Sequence, residues 1–292
     1  MPPEVSHLLY ADDLQVYIQV PPEEMSTSID TMSHIAKKVS CWANSVSLRL
    51  NQDKTKAIFF GTSKLVDRIN KQNYPGIDLG GGIIIPFVKE VKSLGMTLDS
   101  KLSWEPHVIT VEKKVNRVLY TLRFIRDCTT EALRIKLVQS LVLPHLDYCS
   151  TVYLDASTKL KARIQRLSNS GIRYIFGVRK DSSITPFRRK LCWLLSDSRR
   201  LYFTAIIMYK ILRLNQPDYL THLFIKQAPK SNARGERRFR ELSLPKPQDC
   251  GISSFQLRGT KFWNSLPHNL LHISSLDCFK SCLSQYLLSL DP

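Results

Sequence analysis

Apolar and polar residues alternate over residues 5–20, and this predicts two short strands around a tight turn: VSHLLY, then ADD, then LQVYIQV. Pro21-Pro22 ends the second strand. Ile29, Met32, Ile35, Val39, Trp42 and Val46 then recur every three or four residues, the period of one helix face, which predicts a helix from about Ser28 to Ser47. A turn at Asp53-Lys54 leads into a predicted strand, Lys56 to Phe60, that Gly61 breaks. Ile77-Asp78-Leu79 and Ile83-Ile84-Ile85 flank three glycines and read as a hairpin. Val91 to Leu98 reads as one further strand, interrupted by Gly95.

From Trp104 the period becomes helical. Val108, Val111, Val115, Val118, Leu122 and Ile125 mark one long amphipathic helix. A second is capped by Thr129 or Thr130 and ends at Pro144. A third is capped by Ser157, with Leu160, Ile164, Leu167, Ile172 and Ile175 inside and Lys159, Lys161, Arg163, Arg166 and Arg173 outside. A fourth spans Ser196 to Leu214, and a last, short helix spans Leu276 to Leu290. Between them, Gln227 to Gln248 is polar, basic and proline-containing, and reads as a loop or linker. The expected class is α+β: a mixed part over 1–100, a basic helical domain over 101–225, and a linker with a C-terminal helical appendix over 226–292.

Composition narrows the classes. With 43% hydrophobic residues and ordinary glycine and proline numbers, the chain can fill a core, which excludes collagen-like and simple disordered readings. No apolar run approaches the ~18–20 residues that span a bilayer, so no membrane partner is expected. The opening MPPEVSHLLYADD lacks the basic start of a signal peptide. The seven cysteines are an odd number without a CxxC spacing. His268/His272 and Cys278/Cys282 form two i,i+4 pairs, but only five residues separate them, too few for a zinc finger. The cysteines read as reduced thiols of an intracellular protein, with nucleus and cytoplasm both open. Residues 1–100 hold 10 Lys/Arg against 11 Asp/Glu, whereas residues 101–292 hold 32 against 14. The positive excess therefore lies entirely in the last two-thirds, and a phosphate polyanion is its natural partner. Arg188-Arg189-Lys190 and the stretch from Arg234 to Arg240 are its densest clusters, readable as import signals, phosphate contacts or solvated charge.

Asp12-Asp13 carries the candidate chemistry. Adjacent carboxylates repel unless both are solvated or a cation neutralises them. Such pairs suit Mg2+, which binds through one or two carboxylates together with substrate phosphates. A bare Asp-Asp pair is most often a surface turn, so its setting decides. Tyr10-Ala11-Asp12-Asp13 between two β-compatible stretches resembles the catalytic hairpin of reverse transcriptases. Further matches follow in order: Leu50-Asn51 with Lys54-Thr55, then Val91-Lys92-Ser93-Leu94-Gly95-Met96-Thr97-Leu98-Asp99, which resembles a primer-grip segment. Lys101-Leu102-Ser103-Trp104, Leu143-Pro144-His145-Leu146-Asp147-Tyr148-Cys149, Arg163-Ile164-Gln165-Arg166-Leu167, Ile184-Thr185-Pro186, Leu191-Cys192-Trp193-Leu194 and Phe262-Trp263-Asn264-Ser265-Leu266-Pro267 resemble the downstream region of LINE-type, non-LTR retrotransposon polymerases of the jockey-like kind.

The resemblance implies a polymerase palm followed by a helical, thumb-like bundle and a tail, acting as an RNA-directed DNA polymerase with Mg2+ as cofactor. It implies that Asp12 and Asp13 bind the metal, that Lys54 lies near nucleotide phosphates, and that Tyr10, Leu94 and Gly95 face the primer end. Lys159, Lys161, Arg163, Arg166 and Arg173 would follow the backbone of an RNA template and DNA primer duplex. In such polymerases a further catalytic aspartate and the fingers precede the hairpin. Nine residues precede Tyr10, so the resemblance is to the C-terminal portion of such an enzyme, one expected to be inactive alone. Taken without the resemblance, Lys54 reads as a turn lysine, Gly95 as a bulge and the third helix as a solvated face. The alternative function is a non-catalytic nucleic-acid-binding protein that uses the basic helical region.

Overall fold

Strands β1 (Val5–Tyr10) and β2 (Asp13–Ile18) pair antiparallel from Val5↔Ile18 to Tyr10↔Asp13, leaving Ala11-Asp12 as the loop. So short a loop needs a residue at positive φ, and Ala11 takes that role at φ 52°. The computed structural model describes residues 5–72, 74–226, 241–246 and 255–292. Its contacts divide the chain into two units, Met1–His107 and Val108–Pro292.

The first unit is mixed helix and strand. A 3-10 turn, Pro22–Glu24, opens α1 (Met25–Ser45), which begins three residues earlier than its apolar period suggests. Met25 and Ile29 of α1 and Ile69 of α2 (Ser63–Lys71) form its buried centre, lined by Val20, Phe59, Leu65, Ile77 and Phe87. Helix α2 was not anticipated, although Thr62 caps it by accepting the Leu65 N–H and Leu65, Val66 and Ile69 have helical spacing.

The glycine hairpin forms as expected, with β3 (Ile77–Asp78) against β4 (Ile84–Ile85). It is held to α1 by the Lys37–Asp78 ion pair at 2.7 Å and by Asp78 N–H donating to Ser33 Oγ at 3.1 Å. Two expectations are corrected. Lys56 to Phe60 is not a strand: Ala57 makes one isolated parallel bridge to Phe87, and the segment is held by Phe59 stacked on Phe87 at 3.8 Å. Val91 to Leu98 is not one strand but a hairpin, β5 (Glu90–Ser93) and β6 (Met96–Asp99), because Leu94 and Gly95 both take positive φ, 44° and 81°. Among the described residues the three sheets remain separate antiparallel pairs.

In the second unit, α3 (Glu105–Phe124), whose first turn belongs to the first unit, buries Val108, Val111, Val115, Leu119 and Leu122. Thr130 caps α4 (Glu131–Leu141) by accepting the Leu133 N–H. Pro144 does not stop a helix. It sits in the first turn of α5 (Leu143–Asp147), where its missing N–H costs nothing. Helix α6 (Thr158–Phe176) is capped by Ser157, ends at Gly177 in the left-handed region, and buries the five apolar residues expected. Helices α7 (Thr185–Lys190) and α8 (Ser196–Leu214) follow.

The helices beyond the boundary read at 225/226 pack on α8. Ala205, Met208, Tyr209, Ile211 and Leu212 share a core with Trp263 of α9 (Phe255–Trp263), Leu270 and Leu271 of α10 (His268–Leu271), and Phe279, Leu283 and Leu287 of α11 (Leu276–Leu290). Most of the region read as a linker lies outside the described residues. Its described part is pinned by the FWNSLP motif: Trp263 Nε1 donates to Glu241 at 3.0 Å, and Asn264 exchanges two hydrogen bonds with the Leu242 backbone. Arg213 completes the cluster with a fork on Glu241 at 2.6 and 3.0 Å. No helix of the described residues is long and apolar enough to cross a membrane.

Candidate functional site

The β1–β2 hairpin carries Tyr10, Asp12 and Asp13 into solvent. Tyr10 is 65% exposed, and both carboxylates are exposed. Paired residues of a hairpin point to the same side, so Tyr10 and Asp13 share a face, while Asp12 stands in the loop. On that face Gln15 donates from Nε2 to Ser93 Oγ at 2.7 Å. Ser93 immediately precedes Leu94-Gly95, so this bond ties the acidic hairpin to the β5–β6 turn, 78 residues apart in sequence. Five of the six first-unit residues singled out from sequence thus lie on two connected hairpins.

Lys54 is the sixth. It is exposed in a turn built by Asn51, whose Oδ1 accepts the Lys54 N–H at 3.1 Å and whose carbonyl accepts from Thr55. Its ammonium forms no ion pair among the described residues, and neither do Asp12 and Asp13.

The described residues offer magnesium part of a ligand set. The donor type is right, hard carboxylate oxygen, but the number is not. No group of three or more His, Cys, Asp or Glu is gathered among the described residues. Two exposed carboxylates at a hairpin tip are a partial ligand set for an ion that holds its water tightly. The His268/His272 pair does bring its rings together, Nε2 to Nε2 at 2.9 Å. Cys278 and Cys282 are exposed free thiols outside any such group.

The α6 cations divide into two kinds. Lys159 and Arg166 are exposed and Lys161 is half-exposed. Arg163 instead pairs with Glu112 of α3, and Arg173 donates to the carbonyls of Arg179, Lys180 and Ser182, closing the loop after α6. The available acceptors make the difference: Glu112 and the loop carbonyls stand within reach of Arg163 and Arg173, whereas Arg166 reaches, among the described residues, only the Ala162 carbonyl of its own helix, at 3.3 Å.

Other motif residues are also spent on structure. Asp147 receives both arms of Arg199 at 2.5 and 2.6 Å. Arg188 is 4% exposed and faces Asp291 at 3.6 Å, and Lys190 pairs with Glu131 at 2.8 Å, so that cluster is not a free basic patch. The cluster from Arg234 to Arg240 lies outside the described residues. His145 is held below the usual imidazole range, first by burial and then by Lys114.

The sequence reading missed the outer face of α3. Lys113, Arg117, Tyr120 and Phe124 are all exposed there, and their spacing of four, three and four residues is the available signal. Compared with family models, curated proteins and solved structures, the chain has no match.

Proposed function

We propose that this chain is a reverse-transcriptase-type polypeptide of the LINE kind that holds an RNA template with its DNA primer. In this reading the first unit is the palm-like part, and the helices of the second unit include the thumb-like part. The observation that carries the reading is the Gln15–Ser93 bond, which links the Asp12-Asp13 turn to the Leu94-Gly95 turn. Two short turns held side by side, one of them carrying exposed acids, suit the end of a nucleic-acid strand better than either alone. Catalysis of phosphoryl transfer rests on positioning and charge stabilisation, and two exposed acids supply neither in full. The chain by itself is therefore expected to be silent in primer extension. A second reading, a binding protein without catalysis, is favoured by the charge excess of residues 101–292 and by exposed Lys159 and Arg166.

Cross-linking separates the two. A hybrid whose primer bears a photoreactive group at its 3′ end should label peptides from residues 5–18 or 90–99. Labelling confined to the second unit would support the binding protein and sink the polymerase reading. Primer extension with Mg2+ checks the expectation of silence. Synthesis that disappears in Asp12→Asn would show that the acids work in a complete site.

A further inference from the structure

Helix α3 presents two opposite faces of unlike chemistry. At about 100° per residue, Val108, Val111, Val115, Leu119 and Leu122 fall on one side and are buried. Lys113, Arg117, Tyr120 and Phe124 fall on the opposite side, within an arc of ~60°, and all are exposed. Tyr120 and Phe124 are 62% and 71% exposed, with ring centroids 5.0 Å apart at 86°. Large aromatic rings set this far into water leave apolar area uncovered, and the edge-to-face contact preorganises both. The cations beside them are uncompensated: the half-buried acid of the helix, Glu112, is already taken by Arg163. Lys114 and Arg123, also exposed, flank the stripe.

We propose that this stripe binds single-stranded nucleic acid, with bases stacked on Tyr120 and Phe124 and the backbone phosphates on Lys113 and Arg117. Bases offer flat π faces and phosphates offer charge, and the stripe presents both complements along ~16 Å of helix, two cations followed by two rings. A duplex keeps its bases stacked on one another, so its faces are closed to the two rings. The inference deepens the proposed function by adding a single-strand site, distinct from the hybrid contacts assigned to Lys159 and Arg166, and it rests on that reading only for the class of partner.

The test uses the full chain and measures fluorescence anisotropy with a single-stranded oligodeoxythymidylate and with an RNA–DNA hybrid of equal length. The double variant Tyr120→Ala/Phe124→Ala should weaken single-strand binding by ~10-fold or more and leave hybrid binding within ~2-fold. Tyr120→Leu/Phe124→Leu keeps apolar bulk but removes the stacking faces, and should lose single-strand affinity as well. Lys159→Ala/Arg166→Ala should show the opposite profile. Single-strand binding that survives either aromatic double variant overturns the proposal; survival with Leu alone marks an apolar contact face instead. A native chain that binds the hybrid but no single strand removes this site and leaves the proposed function standing. One that binds the single strand but no hybrid does the reverse.

Discussion

At the scale of single residues, buried polar groups define the second unit more sharply than its apolar ones. Arg188 and Asp291 are each 4% exposed, and Asp291 also accepts the Leu195 N–H at 2.7 Å and the Ser198 hydroxyl at 2.5 Å. One carboxylate thus finishes the start of α8 and neutralises a guanidinium sealed from water. Asp291→Ala should cost ~3–5 kcal/mol in urea unfolding, because a buried charge is left without its counterpart. Tyr153 is 1% exposed and donates to the Leu146 carbonyl at 3.2 Å. Burial, the largest cause, pushes its phenol up to about 12, against the lowering effect of nearby Arg200. The unfolded chain therefore gives up this proton first, from about pH 10. Stability from Tyr153 is full below that pH and is lost as pH rises towards about 12. Alkaline unfolding curves of Tyr153→Phe should lack this decline, at the cost of ~1 kcal/mol near neutrality for the lost hydrogen bond.

At the scale of elements, the first unit is built from hairpins too small to stand alone. An isolated two-stranded hairpin is marginal in water, and β1–β2 leaves Leu8, Leu9, Tyr10 and Tyr17 at least half exposed. What order it has comes from attachments, of which Gln15–Ser93 is one. The β3–β4 hairpin depends on close backbone approach. A Cβ on Gly76 would stand 2.1 Å from the Ile85 carbonyl oxygen, and that oxygen cannot move without breaking the Ile77↔Ile85 pairing. Gly76→Ala should destabilise the first unit by ~2 kcal/mol or more, read by chemical denaturation. Its effect should be absent from the α8–α11 core, which hydrogen exchange followed segment by segment can check.

At the scale of the whole molecule, charge rather than shape is the informative quantity. The net charge is +17, and residues 101–292 carry all of the excess. Binding to an RNA–DNA hybrid should weaken linearly on a log–log plot against salt, with a slope of ~0.7–0.9 per phosphate neutralised. Replacing exposed Lys159 and Arg166 with Ala should flatten that slope by about two. Arg163→Ala and Arg173→Ala should instead lower stability, since those guanidinium groups are held by Glu112 and by loop carbonyls.

The sequence alone determined whatever local periodicity and turn chemistry control. The acidic hairpin, the glycine hairpin, the Ser157 cap, the inner face of α6 and the bounds of α11 all follow from spacing within one or two turns of chain. It also placed the charge excess and named Asp12, Asp13, Leu94 and Gly95 as candidates. Tertiary structure decided which of the cations stay free, because pairing with Glu112, Asp291 or a carbonyl depends on residues up to 104 positions away. It decided that Leu94-Gly95 is a turn rather than a bulge, that two hairpins 78 residues apart are joined, and that the FWNSLP motif pins a loop into the core. Local order reflects the energetics of neighbouring residues, whereas the fate of a polar side chain is settled only when packing shows which partners and how much water it keeps.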